Sequence, residues 1–137
     1  MTQEDWDALK AQMDQPWGQM KLQCDQFELL LVQSASVRRR CWETIVYVGG
    51  FMRTEWMQVD GDGQALHEEA RRFMRKVVRP LYSAREVEGI RNTYGKRRAT
   101  ESKAKKFVIF DCAWKNFNSL KKHLLANNTS ITRIVEA

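Results

Sequence analysis

Between residues 20 and 59, four runs rich in β-branched, aromatic and apolar side chains (20–24, 27–33, 37–48 and 51–59) are separated only by Asp25-Gln26, Ser34-Ala35-Ser36 and Gly49-Gly50. Runs so composed and so punctuated read as strands. Connections this short make a four-stranded antiparallel meander the simplest assembly. Gly49-Gly50 is the clearest hairpin signal, because a two-residue primed turn needs positive φ at a central position.

Ahead of the strands, Thr2 is placed to cap a short amphipathic helix in which Trp6, Leu9 and Met13 share a face, with Glu4, Asp5 and Asp7 near its positive end and Pro16 closing it. Behind them, Asp60-Gly61-Asp62-Gly63 ends the sheet and opens a helix over 62–79, roughly four turns long, that stops at Pro80. On a helical wheel Leu66, Ala70, Phe73, Met74 and Val77 gather on one side of it. Arg71, Arg72, Arg75, Lys76 and Arg79 gather on the other. Ser83 to Glu86 fits a capping box for a second helix, with Val87, Ile90 and Tyr94 facing inward. The following run, about 95–106, has no apolar residue larger than Ala and reads as a mobile loop or a frayed helical extension. Residues 107–112 return to strand, 118–126 form a helix with Leu120 and Leu124 inward, Asn127-Asn128 suit a left-handed stop, and 131–135 make a last strand. The connection between these two strands is long enough for a crossover to a parallel neighbour. The expected order is α-β-β-β-β-α-α-β-α-β, a single α+β domain over 1–137: an N-terminal helix, a meander, two central basic helices and a C-terminal β-α-β.

Charge is sorted by segment. Residues 1–70 carry six Lys/Arg against twelve Asp/Glu, residues 71–106 thirteen against three, and residues 107–137 four against two. The middle segment alone exceeds the formal net charge of +6. Its positive field draws phosphates or acidic protein surfaces. The candidate contacts are Arg71, Arg72, Arg75, Lys76 and Arg79 from the basic face of the 62–79 helix, with Lys96, Arg97, Arg98, Lys103, Lys105 and Lys106 from an arm that orders on nucleic acid as its charge is neutralised. The expected partner is DNA or RNA, and the alternative is an acidic protein surface. Tyr94 and Phe107 flank the arm, where stacking on bases is conceivable, but both fit the core pattern of their elements better. Arg38-Arg39-Arg40, beside Trp42, reads first as protection for an exposed edge or hairpin end.

Enzyme signatures are scarce. Cys24, Cys41 and Cys112 are widely separated and form no CxxC pair, which excludes a disulfide framework or zinc knuckle and leaves reduced, mostly buried thiols. Asp60, Asp62 and Gln64 imitate the start of a calcium loop, but 65–72 does not place the remaining ligands, so a turn and helix cap is the better reading. His67-Glu68-Glu69-Ala70-Arg71 lacks the second His of a zinc-protease helix. Glu101-Ser102-Lys103 has the Glu-x-Lys spacing of metal-dependent nucleases but sits in a loop-like charge run, so a small nuclease ranks third, behind a non-enzymatic binding protein. His123, near Leu120 and Leu124, suits packing or surface better than catalysis. No cofactor or metal is expected. The longest apolar run, Leu29-Leu30-Leu31-Val32, is far short of the roughly 18–20 residues of a bilayer crossing. The acidic start is unlike a signal peptide, so a cytoplasmic location without membrane contact is expected. Oligomeric state is not written in the sequence.

The stretch Trp114-Lys115-Asn116-Phe117-Asn118-Ser119-Leu120-Lys121-Lys122-His123-Leu124, followed by Asn127-Asn128 and Ser130-Ile131, resembles the tails of small uncharacterised proteins carried by bacteriophages and prophages. The resemblance implies a phage accessory role, either handling nucleic acid or blocking a host defence complex. No functional residue is carried over with it.

Overall fold

The computed structural model describes residues 1–36 and 40–134. In chain order the first elements are α1 (Gln3–Met13), β1 (Gln19–Cys24), β2 (Phe27–Ser36), β3 (Cys41–Val48), a 3-10 turn (Thr54–Met57) and α2 (Glu68–Phe73). They are followed by β4 (Arg75–Pro80), α3 (Ala84–Tyr94), α4 (Lys96–Ala104), β5 (Lys106–Asp111), β6 (Ala113–Trp114), α5 (Phe117–Asn127) and β7 (Ile131–Ile134). The chain is α+β. One antiparallel sheet has the strand order β6-β3-β2-β1-β7, and β4 pairs with β5 in a separate two-stranded ribbon.

The sheet is held by strict alternation. Met20 pairs across from Leu31, and Leu22 from Leu29, so the same four side chains face the helices and are buried. Trp6, Leu9 and Met13 of α1 and Leu120 and Leu124 of α5 close over them with Phe73 of α2. Each buried Leu or Phe here is worth about 1.5–3 kcal/mol. Thr2 and Asp5 make the capping box that starts α1, its hydroxyl accepting from the Asp5 amide. A second, smaller core gathers Trp56, Ala70, Met74, Phe110 and Cys112 under the ribbon.

The fourth strand of the meander does not form. Gly49 and Gly50 do adopt positive φ (61° and 83°) and close a tight turn between Val48 and Phe51. Beyond that single bridge the chain leaves the sheet, because the seat beside β3 is taken by β6, with Thr44 opposite Trp114 and Ile45 opposite Ala113. The 3-10 turn then drops Trp56 into the second core. Asp60 caps a turn as expected, its carboxylate accepting from the Asp62 and Gln64 amides at 2.8 and 2.9 Å, but the helix starts later, at Glu68.

The 62–79 helix is likewise replaced. Only Glu68–Phe73 is helical, Met74 is extended, and Arg75–Pro80 is strand. Val77 and Val78 lie opposite Ile109 and Val108, and β-branched pairs of this kind favour a ladder over a helix. At the C-terminal end, Asn128 has φ −131°, so α5 does not stop on a left-handed residue; the Asn128 side-chain amide donates to the Leu124 carbonyl instead. No strand pair among the described residues is parallel: β7 runs antiparallel to β1, and β5 to β4. The expected start of the third strand at residue 37 and the expected end of the last strand at residue 135 lie outside the described residues.

Inserted between β4 and β5 is a helical hairpin. Ser83 and Glu86 form the expected capping box on α3. Gly95, at φ +96°, joins it to α4, where the sequence suggested a loop or frayed extension. Within α3 and α4 only Val87 and Ala99 are buried, and the two helices pack mainly on each other, at the tip of the ribbon.

Candidate nucleic-acid interface

The eleven cations singled out in the sequence fall into two groups. Arg72 belongs to the body. Its guanidinium is 14% exposed and donates to Asp25 at 2.8 Å, to Glu68 at 2.8 Å and to the Asn128 side-chain oxygen at 3.2 Å. Asp25, in the left-handed turn between β1 and β2, also accepts from the Thr129 and Ser130 amides. Those two amides, more than Arg72, hold its carboxyl below the ordinary range. Arg72 therefore ties α2 to the β1–β2 turn and to the C-terminal cap of α5. Arg75 is also anchored, donating to Asp111 at 3.4 Å and to the Ala113 carbonyl at 3.3 Å. Arg71 is exposed and paired with Glu68 at 3.2 Å. Arg75 and Lys76 are neighbours on a strand and point to opposite sides, so the five-cation helical face does not exist.

The second group is brought together. Lys96, Arg97, Arg98 and Lys103 lie on α4, Lys105 caps it, and Lys106 opens β5, all exposed. Lys76 and Arg79 lie on opposite faces of the adjoining ribbon, exposed and half-buried. Arg85 and Arg91 of α3, absent from the sequence-based set, are exposed on the same hairpin. Their signal was available: both lie in the basic segment. From Arg85 to Lys106 there are thus eight exposed cations and only Glu86, Glu88 and Glu101 against them. Arg91 pairs with Glu88 at 3.4 Å and Arg97, 93% exposed, with Glu101 at 3.5 Å. Exposed pairs of this kind are worth less than about 1 kcal/mol and yield readily to a better anion.

Tyr94 overturns its sequence reading. It falls on the apolar stripe of α3 yet is 65% exposed, with the Arg98 guanidinium 5.6 Å from its ring centre. Phe107, Val78 and Leu81 are exposed along the ribbon. A cavity of about 320 Å³ opens where ribbon meets hairpin, lined by Pro80, Tyr82, Ala84, Val87, Glu88, Arg91 and Lys103. Far along the chain, Trp17 and Trp42 form an exposed edge-to-face pair at 5.6 Å. Arg40 nearby is exposed; Arg38 and Arg39 lie outside the described residues.

The chemistry-bearing groups are dispersed. Among the described residues no three His, Cys, Asp or Glu side chains are placed to hold a metal ion. Glu101 is on an exposed helix rather than a strand, while Asp111 lies at the far end of β5, about 16 Å from the residue where that strand begins. Burial pushes the Cys24 thiol up to about 12, so it stays protonated at neutral pH, and it and Cys112 are core groups. Cys41 is half-buried.

His123 packs on Trp114, ring centres 5.2 Å apart, and its Nε2 meets the Arg71 carbonyl at 3.1 Å. Burial pushes its pKa below the ordinary value, against the smaller opposing effect of that carbonyl. The unfolded chain then takes up a proton before the folded one does. The His123 contribution is full above about pH 6.5 and is lost as pH falls through the lower folded value. Thermal melts at stepped pH should show this decline in the native protein and a shallower one in His123→Gln.

No helix among the described residues is long and apolar enough to cross a membrane. No protein-family model, curated protein or solved structure matches this chain, and none bears on the resemblance of its tail to phage-borne proteins.

Proposed function

We propose that the chain is a non-enzymatic binding protein whose helical hairpin and ribbon, α3, α4, β4 and β5, contact nucleic-acid phosphates. The observation that carries this reading is the concentration of eight exposed cations against three acids between Arg85 and Lys106, six of the eight on a hairpin that packs mainly on itself. Such a cluster repels itself in water, and phosphates relieve the repulsion while releasing their own counterions. The contacting residues are Lys76, Arg79, Arg85, Arg91, Lys96, Arg97, Arg98, Lys103, Lys105 and Lys106. Arg72 and Arg75 of the sequence-based set anchor the body instead, and Arg71 lies exposed on α2, paired with Glu68.

Fluorescence polarisation with labelled DNA and RNA across a salt series tests it. With about four phosphates neutralised on B-DNA, the log–log slope is about −3.6, a loss of roughly a hundredfold between 50 and 200 mM salt. Absence of binding to either nucleic acid at low salt sinks the reading and turns attention to an acidic protein partner, such as the host complex that the phage resemblance implies.

A further inference from the structure

The arm carries more than charge. Val87, Arg91 and Tyr94 recur at i, i+4 and i+7 and therefore share one face of α3. At the ribbon end of that face is the cavity of about 320 Å³, lined by the apolar bodies of Pro80, Tyr82 and Val87, by the cations Arg91 and Lys103, and by Glu88, which pairs with Arg91 at 3.4 Å. About 10 Å further along the helix, at 1.5 Å per residue, stands Tyr94, its ring more than half exposed and overlain by Arg98 from α4. The order along the hairpin is aromatic and apolar, cationic, aromatic, cationic.

Phosphate contact alone does not account for this order. A duplex presents phosphates and buries its base faces, so an exposed tyrosine in a basic surface gains nothing from it beyond a hydroxyl bond. An unpaired strand offers both parts, a backbone charge for each cation and a π-face for each ring. The cavity lies at the small end of the range for ligand sites, which suits one ring system rather than a longer ligand. A second explanation for Tyr94, burial against the hairpin, is excluded by its exposure. Arg98 covers one face of the ring, and the exposure of Tyr94 leaves room for a base to stack on the other, with the guanidinium beside it for the adjoining phosphate.

We infer that the arm is a track for single-stranded nucleic acid, in which one unpaired base enters the cavity against Tyr82 and another stacks on Tyr94, while Arg91, Arg98 and Lys103 take the intervening phosphates. This rests on the phosphate-binding reading above and narrows it to unpaired strands.

The test compares a labelled oligothymidine with a duplex of equal length at matched salt, for the native protein, Tyr94→Ala, Tyr94→Phe and Tyr82→Ala. The native protein should prefer the single strand. Tyr94→Ala should weaken single-strand binding by roughly five- to a hundredfold, leave duplex binding within about twofold, and be rescued in Tyr94→Phe, which keeps the ring. Because Tyr94 is exposed, Tyr94→Ala should melt with the native protein, which keeps the test usable even where Tyr82→Ala loosens the hairpin. Equal affinity for the two probes, or equal losses on both in Tyr94→Ala, overturns the single-strand track while leaving phosphate binding in place. Binding to neither probe removes both.

Discussion

Replacing residues 82–104 with Asn-Gly should yield a folded protein that has lost its nucleic-acid binding. The ribbon makes this excision clean. Pro80 pairs with Lys106, and one step beyond, the Leu81 amide donates to the Lys105 carbonyl at 2.9 Å. Leu81 and Lys105 are thus already the flanks of a hairpin, and Asn-Gly supplies the two positive-φ residues that a primed turn needs. The excised segment holds Arg85, Arg91, Lys96, Arg97, Arg98 and Lys103, while both hydrophobic cores lie outside it. Affinity should fall by at least about a hundredfold at low salt, and the salt slope should shrink by about 0.9 for each phosphate contact removed. The melting temperature should move by only a few degrees, since Val87 and Ala99 are the buried residues lost and a shorter loop costs slightly less to close. Retained affinity in the excised protein would place the contact surface on the body, with Trp17, Trp42 and Arg40 the first residues to change.

What could be read from the sequence was what is decided locally. The α1 cap at Thr2, the Trp6-Leu9-Met13 face, the Gly49-Gly50 turn, the Ser83 capping box and the inward Leu120 and Leu124 depend on neighbours within a turn or two, and the structure has each of them. The errors were made by distant partners. Residues 51–59 have strand composition, but Ala113 and Trp114 occupy the edge they would have joined. Residues 74–79 fit a helical period, yet Val108 and Ile109 offer them a ladder that a wheel cannot anticipate. The candidate site followed the same rule. Its charge excess was visible, whereas the distinction between an anchored Arg72 and an exposed Arg98 is set by Asp25, 47 positions away in the chain, and by Asn128, 56 away. The place of Tyr94 on the α3 stripe points inward. That stripe buries only Val87 because a two-helix hairpin on a ribbon tip has too little neighbouring surface to cover the rest.

The division between anchored and exposed cations predicts opposite phenotypes for neighbouring substitutions. Phe73 is fully buried, meets Phe27 edge-to-face at 5.4 Å, and its carbonyl accepts from the Trp114 indole at 3.2 Å. Phe73→Ala should cost about 3–5 kcal/mol, since it removes the ring and leaves a cavity between helix and sheet. In a domain of this size that lowers the melting temperature by roughly 10–20 °C. Arg72→Ala should also destabilise, because it leaves Asp25 and Asn128 without the guanidinium that joins them. Arg97→Glu with Arg98→Glu should do the reverse, leaving the melting temperature within a few degrees while weakening nucleic-acid binding steeply. Measuring melts and binding on all three variants at one salt concentration decides the matter. If the Arg97 and Arg98 reversal destabilises as much as Phe73→Ala, those side chains are internal and the hairpin is part of the core. If Arg72→Ala melts like the native protein and loses binding, the interface extends onto the body.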